Sequence, residues 1–259
     1  MVDEVRITYT CLFLRIMIAL FNFPNQGVKM AVTVFLKSDV ESTTKLAQFE
    51  AAIAEFLKAF SPTTIISDTF IDGDYVINIT EQQRHTGAAA YHIFVNNVPI
   101  AICSPRAAGR DWGHFTPAFW TAPKKFLGKV IAPAKQLHPD LFTPGLITDI
   151  CHELAEMLSD KDTITYTQDA DANGMKWLYE PCDWVFGTYW AKTVAGNVCV
   201  FPNVAYAKFG IKNSQGPWDL LGITKGPFQC PPRTSTVHPY AYGIPKDANP
   251  ATAVPVKVV

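Results

Sequence analysis

The sequence has no close pair of cysteines. Its six cysteines, Cys11, Cys103, Cys151, Cys182, Cys199 and Cys230, are scattered through 259 residues without one Cys-x-x-Cys. That excludes a zinc ribbon, and a chain this long has no need of a disulfide-dense scaffold. Cys182 and Cys199 are candidates for a bridge, which spacing alone does not decide. An excess of charge is missing too: a formal net charge of -1 gives no electrostatic basis for a nucleic-acid or anionic-lipid partner. Basic clusters such as Lys124-Lys125 are too short to form a patch. The apolar stretch "CLFLRIMIAL" is about half the length of a membrane span and is broken by Arg15. Asp3 and Glu4 precede a single Arg6, and no small-x-small cleavage site follows, so a secretory signal is not expected either. The pattern selects neither a secreted nor a cytoplasmic location. There is no Gly-x-Ser-x-Gly elbow, no P-loop and no dinucleotide fingerprint.

What is present is ample material for a core: 48% hydrophobic residues and 12% aromatics. Residues 1–29 read as an appendage or leader, because Met30 opens a cleaner start at "MAVTVFLKSD". Residues 30–225 then read as one α+β domain, and the Pro/Gly-rich residues 226–259 as a C-terminal wrap over the surface. "AVTVFLK" is a β-rich run. Leu46, Phe49, Ile53, Phe56, Leu57 and Phe60 follow at helical spacing, with Pro62 as the stop. "TTIISDTF" and "YVINIT", around Asp72-Gly73, predict a hairpin. "YHIFVNNVPIAIC" predicts a second one turning at Asn96-Asn97. Residues 104–145 are loop-rich, with a short helix expected around Phe126 to Gln136.

The chemistry concentrates in "ITDICHELAEMLSD", a helix expected to start near Thr143-Pro144. Ile147, Ile150, Cys151, Leu154 and Leu158 share one arc, and Asp149, His152, Glu153, Glu156 and Asp160 share the other. His152 and Glu156 are stacked one turn apart, so both can grip one ion. Catalytic zinc uses three protein ligands and leaves a position for water. Glu153 is then placed as the general base that takes a proton from that water. A carboxylate in place of a second imidazole shifts preference towards harder divalent ions. Downstream, "YEPCDW" supplies Glu180 and Asp183 as competing third ligands, and Asp160 is a further candidate ligand or supporting residue. The same polar arc fits a solvent-facing helix surface equally well.

In zincin metalloproteases a mixed sheet and a backing helix commonly precede the metal helix, and a subdomain follows it; the order here is compatible with that. "HELAEML-SD", "YEPCDW", "VCVFPNVAYAKFG" and "GPWDLLGITKGPF" together resemble an uncharacterised bacterial and phage family of zincin-like, His-Glu-x-x-Glu proteins of metallopeptidase type. The helix motif also resembles the plant phosphate-induced (Exordium-like) proteins. The resemblance spans about residues 90–230. It departs in two places: Lys161 follows Asp160 where those relatives commonly have Pro, and Trp184 follows Cys182-Asp183. The resemblance implies a zincin-like α+β fold with a mixed sheet, a backing helix, a metal-site helix and a loop-rich C-terminal subdomain. It further implies a metal site on His152, Glu156 and either Glu180 or Asp183, with Glu153 catalytic.

The expectation is therefore a hydrolase dependent on Zn²⁺ or another divalent cation, acting on a peptide or protein substrate. The competing expectation is a non-catalytic structural or interaction protein of the same fold. Segments 104–122 and 226–245 would then meet protein partners in a larger assembly. Cys151 lies on the apolar arc and reads as a buried thiol. Arg106, Arg110 and His114 are candidates for a cleft loop, and His114 for stabilising an oxyanion. His85, His92, His138 and His238 read as ordinary surface or hydrogen-bonded histidines.

Overall fold

A computed structural model describes residues 32–39, 43–67, 70, 74–80, 90–104, 145–160, 164–231, 241–253 and 256–258. The leader (1–29), the expected helix 126–136, and Arg106, Arg110, His114, His85, His138 and His238 lie outside the described residues. All elements below belong to the unit Thr33–Val259.

The first strand, β1 (Thr33–Ser38), buries Val34 and Leu36 on one face. Helix α1 (Thr43–Phe60) follows, and its apolar stripe of Phe49, Ile53, Phe56 and Leu57 is buried at the spacing the sequence implied. Each such side chain contributes about 1.5–3 kcal/mol relative to exposure. β2 (Ile65–Ser67) returns parallel to β1, and β3 (Tyr75–Ile79) pairs parallel on β1's other edge. The hairpin expected around Asp72-Gly73 is therefore absent: β1 sits between the two arms, which never pair. The short runs alone looked like adjacent antiparallel strands. β1, with Val34 and Leu36 buried, instead lies between them, and the helical crossover from β1 to β2 enforces parallel pairing.

The second expected hairpin is present. β4 (Ala90–Val95) and β5 (Val98–Cys103) are antiparallel around Asn96 and Asn97, whose φ values of 51° and 66° suit a two-residue turn. The result is a five-stranded mixed sheet in the order β2-β1-β3-β5-β4, with β4 as its antiparallel edge. Directly paired residues share a face, so Leu36, Ile77, Ala101 and His92 form one row across it. Leu36, Ile77 and Ala101 are buried with α1 and with α2 (Leu146–Ser159) in one core. The chain is thus mixed α/β, with a mixed sheet and few helices.

Helix α2 is capped by Gly145 rather than beginning at Thr143-Pro144, which lie outside the described residues. Of its apolar arc, Ile147, Ile150, Cys151 and Leu154 are buried as expected, and Leu158 is partly buried against the same core. After it come β6 (Met175–Trp177), the short helix α3 (Pro181–Trp184), and a hairpin of β7 (Tyr189–Val194) and β8 (Asn197–Pro202). β8 backs α2, and Thr148 Oγ1 donates to the Val200 carbonyl at 2.8 Å. The residues expected to wrap the surface do more than that. Within them β9 (Ala241–Pro245) pairs with β6, and β10 (Val256–Val258) pairs with β9. Cys103, Cys151, Cys182, Cys199 and Cys230 are free, so the candidate Cys182–Cys199 bridge is not formed.

Candidate metal centre

Two elements and one strand build the site. Helix α2 carries His152, Glu153 and Glu156, whose polar arc is not a solvent face. Glu153 is 8% exposed, Glu156 2% and Asp160 2%. Carboxylates at that depth cost several kcal/mol unless protonated, hydrogen-bonded or paired with a cation.

Helix α3 brings the second set of side chains. Pro181 occupies its first turn, a favoured place because a proline there sacrifices no helical hydrogen bond. Trp184 anchors it: the ring is fully buried, stacks on Phe209 with centroids 5.1 Å apart, and donates from Nε1 to the Leu178 carbonyl at 3.2 Å. The Ala205 N–H also ties the Pro181 carbonyl at 3.0 Å. With α3 held this way, Asp183 Oδ1 lies 3.3 Å from His152 Nε2, and Glu156 Oε1 lies 3.2 Å from the same nitrogen. Glu180 offers an oxygen within 4.8 Å of oxygens of both Glu156 and Asp183. Tetrahedral ligands about 2.0–2.2 Å from one ion sit about 3.3–3.6 Å apart, so the His152–Asp183 spacing and the slightly shorter His152–Glu156 spacing fit a shared ion. Glu156 Oε1, despite its closeness to His152, is a buried atom with no hydrogen-bond partner among the described residues.

Both competing third ligands thus converge on Glu156. Asp160 does not join them. Its carboxylate accepts from the backbone N–H groups of Ile164 (3.2 Å) and Thr165 (3.0 Å) and shapes the helix exit. Cys182 does join: its sulfur is within 4.8 Å of a ligand atom of both His152 and Glu156.

No protein-family model, curated protein or solved structure matches the chain.

One residue that sequence reading set aside as ordinary belongs here. His92 on β4 places Nδ1 3.0 Å from Glu153 Oε2 and 3.8 Å from Glu156 Oε2, and its side chain is 6% exposed. A signal was available. The Asn96-Asn97 turn fixes the register of β4 on β5, which pairs His92 with Ala101. Pro99, Ala101 and Cys103 alternate as the buried face of β5, so His92 must point the same way.

Burial and neighbouring charge shift Glu156, Glu180, His92 and His152 towards their protonated forms. Burial pushes Glu156 up, with the charges of Asp183 and Glu153 adding to the effect while His152 opposes it. Burial also drives Glu180 well above the usual carboxylate range, reinforced by Glu156 and Asp183. Burial alone would lower His92, but its bond to Glu153 and the charge of Glu156 raise it to about 9. His152 is likewise raised well above its ordinary value: burial opposes the shift, but Glu156, Cys182 and Asp183 together outweigh it. A metal ion would displace such protons.

A second cation-like pattern, Asp169-x-Asp171-x-Asn173-Gly174 with Glu180 in the twelfth position, has calcium-loop spacing. It serves as a turn. Asp171 accepts from the N–H groups of Asn173 and Met175 and from the Trp177 indole, at 2.8, 2.9 and 3.0 Å, and Asp169 accepts from the Lys212 N–H at 2.8 Å. Gly174 supplies the positive φ of 77°. Glu180 turns towards Glu156 instead.

Proposed function

We propose that this protein is a zincin-like, divalent-metal-dependent hydrolase of metallopeptidase type, cleaving an amide bond of a peptide or protein. The observation that carries the reading is the placement of Glu156 Oε1 and Asp183 Oδ1 at 3.2 and 3.3 Å from His152 Nε2. The sequence resemblance to zincin-like His-Glu-x-x-Glu proteins supports it. His152, Glu156 and Asp183 would hold the ion, with Glu180 beside them. One imidazole among carboxylates is a hard donor set that accepts Mn²⁺ as well as Zn²⁺. Such an ion supplies polarisation of the scissile carbonyl and acidification of water. Glu153 takes the proton from the attacking water and delivers it to the leaving amine, and His92 holds the Glu153 carboxylate in place from the other side.

The test is metal content together with peptide hydrolysis, read by mass spectrometry on a peptide mixture after loading one equivalent of Zn²⁺ or Mn²⁺. His152→Ala loses the ion. Glu153→Gln keeps it and loses hydrolysis, typically by 10²-fold or more (order of magnitude). Metal bound and lost as described, with no hydrolysis in the unmodified protein, would favour the alternative: a structural or interaction module in which the ion is a staple.

A further inference from the structure

The Glu156 carboxylate addresses two imidazoles. Oε1 lies 3.2 Å from His152 Nε2, and Oε2 lies 3.8 Å from His92 Nδ1. Around the second imidazole stands a separate ligand set on two different elements: His92, Glu153 and Glu156 each offer a ligand atom within 4.8 Å of the others, and His92 Nδ1 faces both Glu153 Oε2 and Glu156 Oε2. We propose that a second divalent-cation position lies directly beside the first, formed by these three atoms and bridged to it by Glu156. The inference rests on the first position as read above.

Three observations carry it. The set is mixed, an imidazole with two carboxylates, which is the donor chemistry of Mn²⁺ and Zn²⁺ rather than a bare acidic patch. Its members are deeply buried, at 6% side-chain exposure for His92, 10% for Glu153 and 3% for Glu156, with His92 Nδ1 3.0 Å from Glu153 Oε2 and 3.8 Å from Glu156 Oε2. Charge also balances. Glu153, Glu156, Glu180 and Asp183 bring four carboxylates, two buried and two half-buried, into two adjoining groups that share Glu156. One divalent ion leaves two of those charges uncompensated; two divalent ions neutralise the cluster with both imidazoles neutral. Bridged pairs of this kind hold their ions about 3.5–4 Å apart, a separation that one carboxylate spans.

In the structure the His92–Glu153 contact, at 3.0 Å, is a hydrogen bond with a proton between the two atoms. An ion in the second position takes that proton's place, and the proton leaves to solvent. Glu153 is then a ligand and no longer a free base. The first ion alone leaves the base available, so low metal supports hydrolysis and excess metal suppresses it.

The experiment is a Mn²⁺ titration of the metal-free full chain by equilibrium dialysis, with electron paramagnetic resonance on the bound fraction. The wild type is expected to bind about two ions per chain, the second weaker, with the resolved signal of isolated Mn²⁺ replaced by that of a coupled pair. His92→Ala and His92→Gln should bind about one, with an isolated-ion signal. Thermal unfolding shows which variant retains the fold, and the glutamine variant, closer in size and polarity, carries the test if the alanine variant does not. One ion in wild type and variants alike overturns the second position and leaves the first standing. Two ions in a folded His92 variant also overturns it. No ion in any of them overturns both.

Discussion

His92 Nδ1 lies 3.0 Å from Glu153 Oε2, so the edge strand of the sheet is hydrogen-bonded to the residue proposed as general base. That bond joins β4 to α2 across the buried centre. Removing the imidazole leaves Glu153 uncompensated beside Glu156, and a buried pair that loses one partner is destabilised by about 3–5 kcal/mol. His92→Ala is therefore expected to lower the thermal midpoint of the metal-free protein substantially. His92→Gln, which can still donate to Glu153, should lose less. Differential scanning calorimetry of the two variants gives the comparison, and equal losses would contradict the role given to the bond.

Metal addition should raise stability, since an ion held by the folded cluster would displace its protons. At a free concentration of about one hundred times Kd, linkage gives about 2.7 kcal/mol. For a domain of this size that corresponds to a rise of roughly 5–10 °C. His152→Ala should abolish the shift. The measurement is a thermal melt with and without Zn²⁺ or Mn²⁺, compared with Mg²⁺ as a poorly matched control.

Trp184 is not a ligand, yet the site depends on it. It is the buried anchor of α3, stacked on Phe209 and edge-on to Tyr179. Trp184→Ala should cost about 3–5 kcal/mol. Because Asp183 lies in this helix and Glu180 at its N-cap, it should also weaken metal binding. Trp184→Phe keeps the ring contact and loses the bond to the Leu178 carbonyl, so its metal affinity should stay closer to wild type. Isothermal titration with Zn²⁺ separates the two.

Asp219 gives the acid limb of stability. It is fully buried, where desolvation alone would raise it, but hydrogen bonds from Thr224, Asn203 Nδ2 and the Ile223 N–H hold it below the usual carboxylate range. A lowered folded value means that the stabilisation is present above about pH 4, the unfolded value, and is lost as pH falls through the folded one. Asp219→Asn should cost about 1–3 kcal/mol at neutral pH and flatten the decline below pH 4. Urea midpoints from pH 2.5 to 7 test this; an unchanged acid limb in the variant would contradict it.

Much of this was legible in the residues. The stripe of α1 and the two arcs of α2 followed from apolar spacing, and the Asn96-Asn97 turn followed from its residue types. "YEPCDW" was singled out as the source of Glu180 or Asp183 because its distance along the chain from Glu156 resembles that of the third ligand in zincins. Three features were not. The pairing of β2 and β3 with β1 depends on which strand is central, and local runs do not encode that. β9 joins β6 from the Pro/Gly-rich tail, where sequence alone offered only turns. Whether α2's acidic arc faced water or the interior depended on β4, α3 and β8 packing round it, a tertiary property that helical periodicity cannot report. His92 was missed for the same reason, although the hairpin register already placed it on the face of Ala101.

The central claim is that His152, Glu156 and Asp183 form one ion site. The most direct measurement is an anomalous difference map from crystals grown with Zn²⁺ or Mn²⁺ and collected at the metal edge. The account predicts a peak about 2.0–2.2 Å from His152 Nε2 and from oxygens of Glu156 and Asp183. A map with no peak at that position, or with His152 directed away from a metal bound elsewhere, would contradict it.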